Sequence, residues 1–509
     1  MKNIFIDPLK NLSFYRELVE KVNGKISPIS TYGIIDENIG HICYALNKHV
    51  NKQMLLITHN KRKAERIYKD IRNFDENIVE LFPSKEILLY RVDAISLDTI
   101  NQRLKILYRL IRGEPIIVVA HIESILNKLI KPNLFKEHMI EIGLENKIEL
   151  EQIAEKLVSC GYEREGMVEG IGQFSIRGGI IDFFSPNNEN PYRIELFDDE
   201  IDSIRTFDIG TQRSIDIVES AFIFPIKEVL ILEKYRQNII DGLKEDLKRG
   251  TKGLSQNSQV RRNMEDKFLT YIEEIKEKIH ISNMDMILPY IPEEHLSSIL
   301  DYFNDDSIVF MDDANRLRER AKDIEEQFLF KYSNIVESGE VLSKHIGINY
   351  GYMDVSKGIE DKICIYNTAL SKSHPHLNPK AILKFASKPV QSFHNNMDFL
   401  KEGLEHYRYR GYKIIILSGT EERGRALQST LGNLDVISTY IGDINRDIKT
   451  SQIYITPGSV DGGFEYSDIK FVIISDKEIY DSSRKKAKRP KKKVDGDMVS
   501  FSDLNIGDF

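Results

Sequence analysis

The chain has 509 residues, of which 41% are hydrophobic and 29% are charged, and this predicts a soluble protein of about three to five globular domains at about 100–200 residues each. The net charge of −8 argues against a generally basic nucleic-acid-binding protein, though not against a local basic face, and three scattered cysteines (Cys43, Cys160 and Cys364) argue against a disulfide framework or a cysteine-based zinc site. Because the sequence lacks both an apolar run near the roughly 18 residues of a membrane span and the apolar core of a signal peptide, we expect a cytoplasmic protein that does not contact a membrane.

Residues 1–130 alternate between short apolar runs and amphipathic segments. Strands are predicted at 53–59, 87–91 and 115–120, and helices at 60–74 and 98–113. In the second helix, apolar residues recur at helical spacing, and Gly113 is a plausible stop. Alternation of strands and helices predicts an α/β domain with a parallel sheet covered by helices.

Residues 131–220 predict a small α+β module inserted after this first part. A helix at 149–162 precedes a strand-rich stretch, GQFSIRGGIIDFFSP and PYRIELFDDEIDSIRTFD. One strand alternates two sets of side chains, Tyr192, Ile194 and Leu196 against Arg193, Glu195 and Phe197. This is the period of a half-buried strand, with the first set buried, and a further strand is predicted at 201–208.

Residues 221–330 combine long polar helices with a strand that ends in Asp312 and Asp313 and leads into a helix. We assign them to the second part of the first domain. Residues 340–480 predict a further small α/β domain, in which strands such as YKIIILSG and KFVIISD alternate with helices.

A basic segment follows this domain. Residues 482–493, SSRKKAKRPKKK, contain eight basic residues in twelve. We interpret 481–500 as a solvated linker, with contact to nucleic-acid phosphates as the alternative. Residues 501–509 resemble the start of another domain, so we expect a longer architecture.

The sequence contains no phosphate-binding loop of the form G-x-x-x-x-G-K-[ST]. The segment at the corresponding place, YGIIDENIGHICYAL, presents Asp36 and Glu37, whose carboxylates repel a triphosphate. Asp312 and Asp313 could hold magnesium, but a lysine partner for them is missing. The histidines and carboxylates show no metal-ligand spacing, and SHPH (373–376) and GSVDGG (458–463) are interpreted as turns. These patterns favour a binding scaffold over an enzyme.

The strand-rich stretch resembles a module shared by the excinuclease component UvrB and the transcription-repair coupling factor (Mfd) family. The sequence PYRIELFDDEIDSIRTFD, together with LYRLIRGEPIIVVAHIESILNKL in the first domain, is closer to the coupling factors than to UvrB. The resemblance implies a repair adaptor that docks on the excinuclease component UvrA. The alternative, an ATP-dependent DNA-processing protein like UvrB, stays open at this point.

The resemblance also implies a degenerate nucleotide site. Aligned from Gly33 on the UvrB pattern G-x-x-G-x-G-K-T, the chain has Asp36 and Asn38 at two glycines, Ile39 at the lysine and Gly40 at the threonine. The Asp-Glu-x-His box of that family resembles Asp312-Asp313-Ala314-Asn315. We therefore expect a degenerate helicase-like (P-loop-type) parallel sheet with an inserted module, followed by a small α/β domain and a basic linker, with no cofactor.

Further partners follow from the resemblance alone. Coupling factors continue into an RNA polymerase-interacting domain and into a motor that uses ATP and Mg²⁺ on DNA. Residues 501–509 resemble the first strand of the polymerase-interacting domain. The chain is thus expected to be the N-terminal part of such a protein. RNA polymerase and DNA are then partners of the whole protein, while excinuclease UvrA is the partner of this part.

The docking residues implied by the family lie on an exposed edge of the module, at Arg177, Arg193 and Phe197. An arginine fork pairs bidentately with carboxylates, and a neighbouring aromatic side chain supplies a desolvated anchor. The alternative for Arg193 is a cross-strand pair with an Asp or Glu on a solvated face.

Overall fold

The computed structural model describes residues 2–85, 97–186, 188–277, 283–368 and 378–480. The predicted strand at 87–91, the turn at 373–376, the basic linker and residues 501–509 lie outside the described residues. Within those ranges, no helix has the length and apolar character needed to cross a membrane.

The first domain is built on a seven-stranded parallel sheet. Its elements before the inserted module are α1 Ser13–Asn23, β1 Ile29–Tyr32, α2 Ile39–Val50, β2 Met54–Thr58, α3 Lys61–Phe74, β3 Val79–Phe82, α4 Leu97–Ile111, β4 Ile117–His121, α5 Ile122–Ile125, β5 Leu129–Ile130 and α6 Pro132–His138. A short 3₁₀ helix, Asp7–Asn11, precedes them. The interior strands β2 and β4 are buried along their whole length, as their continuous apolar sequence predicts.

The inserted module is the α+β unit that the sequence predicts. Its elements are β6 Ile140–Gly143, α7 Leu150–Ser159, β7 Glu163–Arg164, β8 Gln173–Arg177, β9 Ile180–Phe183, β10 Tyr192–Phe197, β11 Glu200–Phe207, β12 Ser214–Ile217 and β13 Ser220–Ile223. Six of these strands form one sheet in the order β12-β11-β10-β9-β8-β7, while β13 pairs with β6. The pairing of β13 extends the module past the predicted end at residue 220.

The chain then returns to the first domain through α8 Glu233–Thr251, α9 Gln259–Glu277, β14 Leu296–Ser297, β15 Ile308–Asp312, α10 Ala314–Glu337, α11 Tyr352–Glu360, β16 Ile363–Thr368 and β17 Ala381–Lys384. The sheet order is β17-β1-β16-β15-β2-β4-β3. Strands β16 and β17 therefore belong to the first domain, although the sequence assigned residues beyond 340 to the next one. Local patterns reveal a strand but not the sheet that it joins.

The C-terminal domain comprises β18 Ser387–Pro389, α12 Met397–Tyr409, β19 Lys413–Leu417, α13 Glu421–Asn433, β20 Ser438–Tyr440, β21 Ile453–Thr456, β22 Phe464–Tyr466, β23 Phe471–Ser475 and α14 Asp476–Tyr480. Its sheet has the order β18-β22-β23-β19-β21-β20, and β19 pairs in parallel with β21 and β23. The predicted α/β class is confirmed here as well.

The first and C-terminal domains share one apolar core. At their contact, His41 Nδ1 lies 2.8 Å from the Tyr466 hydroxyl, and the Asp461 backbone N–H donates to Asp70 Oδ1 over 2.7 Å. Burial raises the pKa of Asp70 to about 7 and lowers the pKa of His41 to about 4. Burial thus favours the neutral form of both groups in this contact.

Candidate docking face and degenerate nucleotide site

The sheet of the inserted module has one apolar side and one polar side. Phe174, Ile181, Ile194 and Ile204 pack with Leu157 of α7 in the core of the module. The alternation of side chains along each strand sends their neighbours to the opposite side of the sheet. We call that opposite side, with Arg177, Asp182, Arg193, Glu195, Phe197, Arg205 and Ile217, the polar face.

A buried carboxylate organises the middle of the polar face. Asp182 of β9 has no solvent exposure and lies directly across from Arg193 of β10. Arg193 donates to both of its oxygens, through Nε at 2.7 Å and Nη2 at 2.8 Å. Arg177 of β8 adds a third hydrogen bond from Nη2 at 2.7 Å. One carboxylate thus fixes two of the three predicted docking residues.

Arg193 is held by further contacts. Its Nη1 donates to the Gln212 carbonyl over 3.2 Å, and its guanidinium lies 4.4 Å from the ring centre of Phe207. The hydrogen bond to Asp182 raises the pKa of Arg193, and only 15% of the side chain is exposed. The cross-strand pair considered as the alternative for Arg193 is therefore present, while Arg177 remains 49% exposed beside it.

Phe197, in contrast, projects from the face with 81% of its surface exposed. It lies at the end of β10, after a β-bulge between Glu195 and Leu196 in the pairing with β11. Leu196 packs against the core of the module, as the sequence predicted, but is only partly buried. An aromatic ring in this position contributes little to the fold and is available to a partner.

The predicted exposed edge is wrong in one respect. Strand β10 pairs with β9 on one side and β11 on the other, so its backbone is not at the edge of the sheet. Arg193 and Phe197 instead lie on a face. The sequence shows which side chains alternate along a strand, but it does not show which strands become its neighbours.

The polar face also contains Arg205 and Ile217, which were not predicted from the sequence. Arg205 of β11 lies opposite Arg193, and Ile217 of β12 lies opposite Arg205, so the three share one row across the sheet. Arg205 Nη2 is 3.5 Å from Glu195 Oε2, and 78% of Ile217 is exposed. The alternation of polar and apolar residues in SIDI of β12 was the sequence pattern that could have revealed this part of the face.

The degenerate nucleotide site contains an internal ion pair that the sequence analysis did not predict. Lys63 of α3 places its Nζ 2.7 Å from Asp36 Oδ1 and 2.5 Å from Asp312 Oδ2, and is itself almost buried. Burial opposes ionisation of Asp36, but Lys63 lowers the pKa of this carboxyl. At Asp312, burial raises the pKa and Lys63 only partly offsets that effect.

The other predicted site residues have structural roles. Ile39 begins α2 with its side chain in the apolar core, and a Cβ on Gly40 would lie 3.3 Å from the Asp70 Cβ. Gly33 has a φ of +83°, and Asp313 caps α10 by accepting from the Arg316 backbone N–H. Among the residues that the structure describes, no group of three His, Cys, Asp or Glu side chains could hold a metal ion.

We predict that this chain does not bind ATP with useful affinity. The cation between the two carboxylates, Lys63, is already neutralised by them, and a triphosphate would have to displace Asp36 and Asp312 from it. Equilibrium titration with a fluorescent ATP analogue checks this, with and without Mg²⁺. Saturable, magnesium-dependent binding at micromolar concentration would contradict it.

Comparisons with known proteins agree with the resemblance. Residues 140–228 match the model of the UvrB interaction domain. The chain is 30% identical over 470 residues to the transcription-repair-coupling factor of Bacillus subtilis (strain 168), which covers 91% of this chain and 39% of that relative. It is 30% identical over 465 residues to the factor of the same name from Staphylococcus aureus (strain MRSA252), covering 90% and 39%. The chain therefore spans about two fifths of these relatives, and its predicted similarity to the N-terminal part of the coupling factors is confirmed.

Proposed function

Because this chain carries a UvrB interaction domain and is similar to transcription-repair-coupling factors over nine tenths of its length, we propose that it is a repair adaptor. In this role it binds the excinuclease component UvrA through the polar face. It thereby couples RNA polymerase stalled at damage to nucleotide excision repair. Its own described residues act by binding, without catalysis.

One observation supports this proposal above the others: the polar face combines an exposed aromatic ring with arginines already fixed in position. Asp182 holds Arg177 and Arg193, so little side-chain entropy is lost when a partner pairs with them. Phe197 and Ile217 supply apolar surface on the same face. Arginine and aromatic side chains with apolar surface around them are the usual composition of an interface hot spot.

The same chemistry indicates what the partner surface contains. Arg177 keeps half of its surface free, and Arg205 shares Glu195 with Ser203. A complementary patch would offer carboxylates to the arginines and an apolar recess to Phe197. The alternative, an ATP-dependent protein like excinuclease UvrB, has less support because Lys63 occupies the carboxylates of the nucleotide site.

The proposal is tested by mixing the chain with purified UvrA and following sedimentation velocity. We expect a new, faster-sedimenting species at low micromolar concentrations and at moderate salt. Two species that sediment independently at tens of micromolar would contradict the proposal.

A further inference from the structure

A turn that is rich in basic and aromatic residues closes one end of the C-terminal domain. The sequence HYRYRGYK (406–413) ends α12 at Tyr409 and enters β19 at Lys413. Gly411 has a φ of +77°, the left-handed conformation that a glycine adopts without strain, and so lets the chain reverse here. None of these residues belongs to the polar face or to the degenerate nucleotide site.

Two of the three tyrosines in this turn have evident roles in the fold. Tyr412 is buried, and Tyr407 packs against it with ring centres 5.0 Å apart. The Tyr407 hydroxyl also donates to Glu465 over 3.1 Å. Tyr409 differs, because 93% of its surface is exposed. Packing does not account for an aromatic ring at this position.

Neighbouring segments bring two further cations to the turn. The Lys413 backbone N–H donates to the Lys470 carbonyl, and the Ser451 N–H donates to the Tyr412 carbonyl, each over 2.8 Å. The first contact places Lys470 beside the turn, and the second brings in the loop that carries Lys449 two residues before Ser451. We define the basic-aromatic turn as Arg408, Tyr409, Arg410, Lys413, Lys449 and Lys470.

The cations of this turn are not neutralised inside the protein. Within the described ranges, none of its five basic side chains forms an ion pair, although acidic residues such as Glu405 and Asp468 are close in sequence. The carbonyls at the end of α12 are also satisfied without them. Arg408 O accepts from the Gly411 N–H at 3.0 Å and from the Ser451 hydroxyl at 2.9 Å. The helix end therefore does not require these side chains as caps.

We propose that the basic-aromatic turn binds single-stranded nucleic acid. Its cations contact successive phosphates, and Tyr409 stacks on a base. Surfaces that bind single strands without sequence preference combine these two features. An acidic protein segment would satisfy the cations but leave the ring unused, and a duplex keeps its base faces stacked away from it.

The position of the turn separates it from any nucleotide pocket. Lys413 begins β19, and Lys470 immediately precedes β23, so the turn lies at the amino-terminal ends of parallel strands. Open α/β sheets bind nucleotides at the opposite, carboxyl ends. The ligand is therefore a strand running across the surface, and its binding is independent of UvrA.

The test is fluorescence anisotropy with a labelled 20-nucleotide single-stranded DNA, at several salt concentrations. The full chain is used, with the basic residues of 484–493 changed to Gln so that this run does not contribute. Tyr409→Ala should weaken binding roughly 5- to 150-fold, as for loss of one stacked base, with an unchanged salt slope. Arg410→Ala/Lys470→Ala should reduce the slope of log K against log salt by roughly 1.4, about 0.7 for each phosphate contact.

The matched control, Lys322→Ala/Lys331→Ala, removes the same charge from the exposed face of α10 and should bind like the unaltered chain. Circular dichroism verifies that each variant folds. Wild-type affinity in both turn variants would overturn the proposal. The proposal would also be overturned if the chain bound a duplex more tightly and Tyr409→Ala did not change that binding. Complete displacement of the DNA by an equal concentration of polyglutamate would overturn it as well.

Discussion

Arg103→Met should lower the free energy of unfolding by about 3–5 kcal/mol, because it leaves a buried carboxylate short of its main partner. Arg103 of α4 is fully buried, and its Nη2 lies 3.1 Å from Glu228 Oε2, while Nε also contacts Glu228. Its Nη1 donates to the Pro83 carbonyl over 2.7 Å. Glu228 lies five residues after the end of β13, the last strand of the module, so this pair holds the segment that leaves the module against α4 of the first domain.

Urea unfolding followed by circular dichroism measures this loss. Methionine preserves most of the arginine volume, so the change removes charge and hydrogen bonds and leaves little cavity. Arg249→Met is the control, because Arg249 pairs with Glu245 on the surface and should contribute under about 1 kcal/mol. Arg103→Met/Glu228→Gln should recover part of the loss. Equal stability of Arg103→Met and the unaltered chain would contradict this account.

The same ion pair predicts a pH dependence. Burial raises the pKa of Glu228, but Arg103 and Lys85 more than offset that effect and lower it to about 2. A carboxyl whose folded pKa lies below its unfolded value stabilises the fold above the unfolded pKa, and this contribution is lost as pH falls through the folded one. The unfolded state is the same in both chains, so the stability difference between the unaltered chain and Arg103→Met depends on the folded pKa of Glu228 in each. It should be full while Glu228 is ionised in both chains, and shrink between neutral pH and about pH 2 as Glu228 is protonated first in the variant. A difference that stays constant across this range would contradict the assignment.

Phe197→Ala should weaken binding to UvrA by about 2–4 kcal/mol, or roughly 30- to 1,000-fold. The fold should be unaffected, because most of the ring is exposed and lies opposite the buried Ile194. Arg193→Ala differs, since it removes two of the three arginine hydrogen bonds to buried Asp182. It should lower both affinity and stability, the latter by about 1–3 kcal/mol.

The sequence predicts most local structure in this protein, because hydrophobic periodicity and turn residues act over short distances. The helix predicted at 149–162 and the strand predicted at 115–120 occur as α7 and β4, with ends shifted by a few residues. Strand β16 shows the limit of this reasoning. Its membership of the first sheet depends on pairing with β1 and β15, which are far away in sequence.

In the polar face and in the degenerate nucleotide site, contacts between single side chains from different segments could not be predicted from the sequence either. Resemblance identified Arg193, but its partner Asp182 depends on strand register. Likewise, the sequence shows that Ile39 stands where the nucleotide site would have a lysine. It does not show that Lys63, from a different helix, pairs with Asp312. Spacing within one segment does not reveal contacts between segments.

The central claim, that the polar face docks the excinuclease component UvrA, is tested most directly by calorimetric titration with matched phenylalanine variants. Phe330 of α10 is the control, since 71% of its surface is exposed and it lies in the first domain, outside the polar face. The account predicts that Phe197→Ala binds at least about 30-fold more weakly than the unaltered chain, roughly 2 kcal/mol, while Phe330→Ala binds equally well. Unchanged affinity in Phe197→Ala, or an equal loss in both variants, would contradict it.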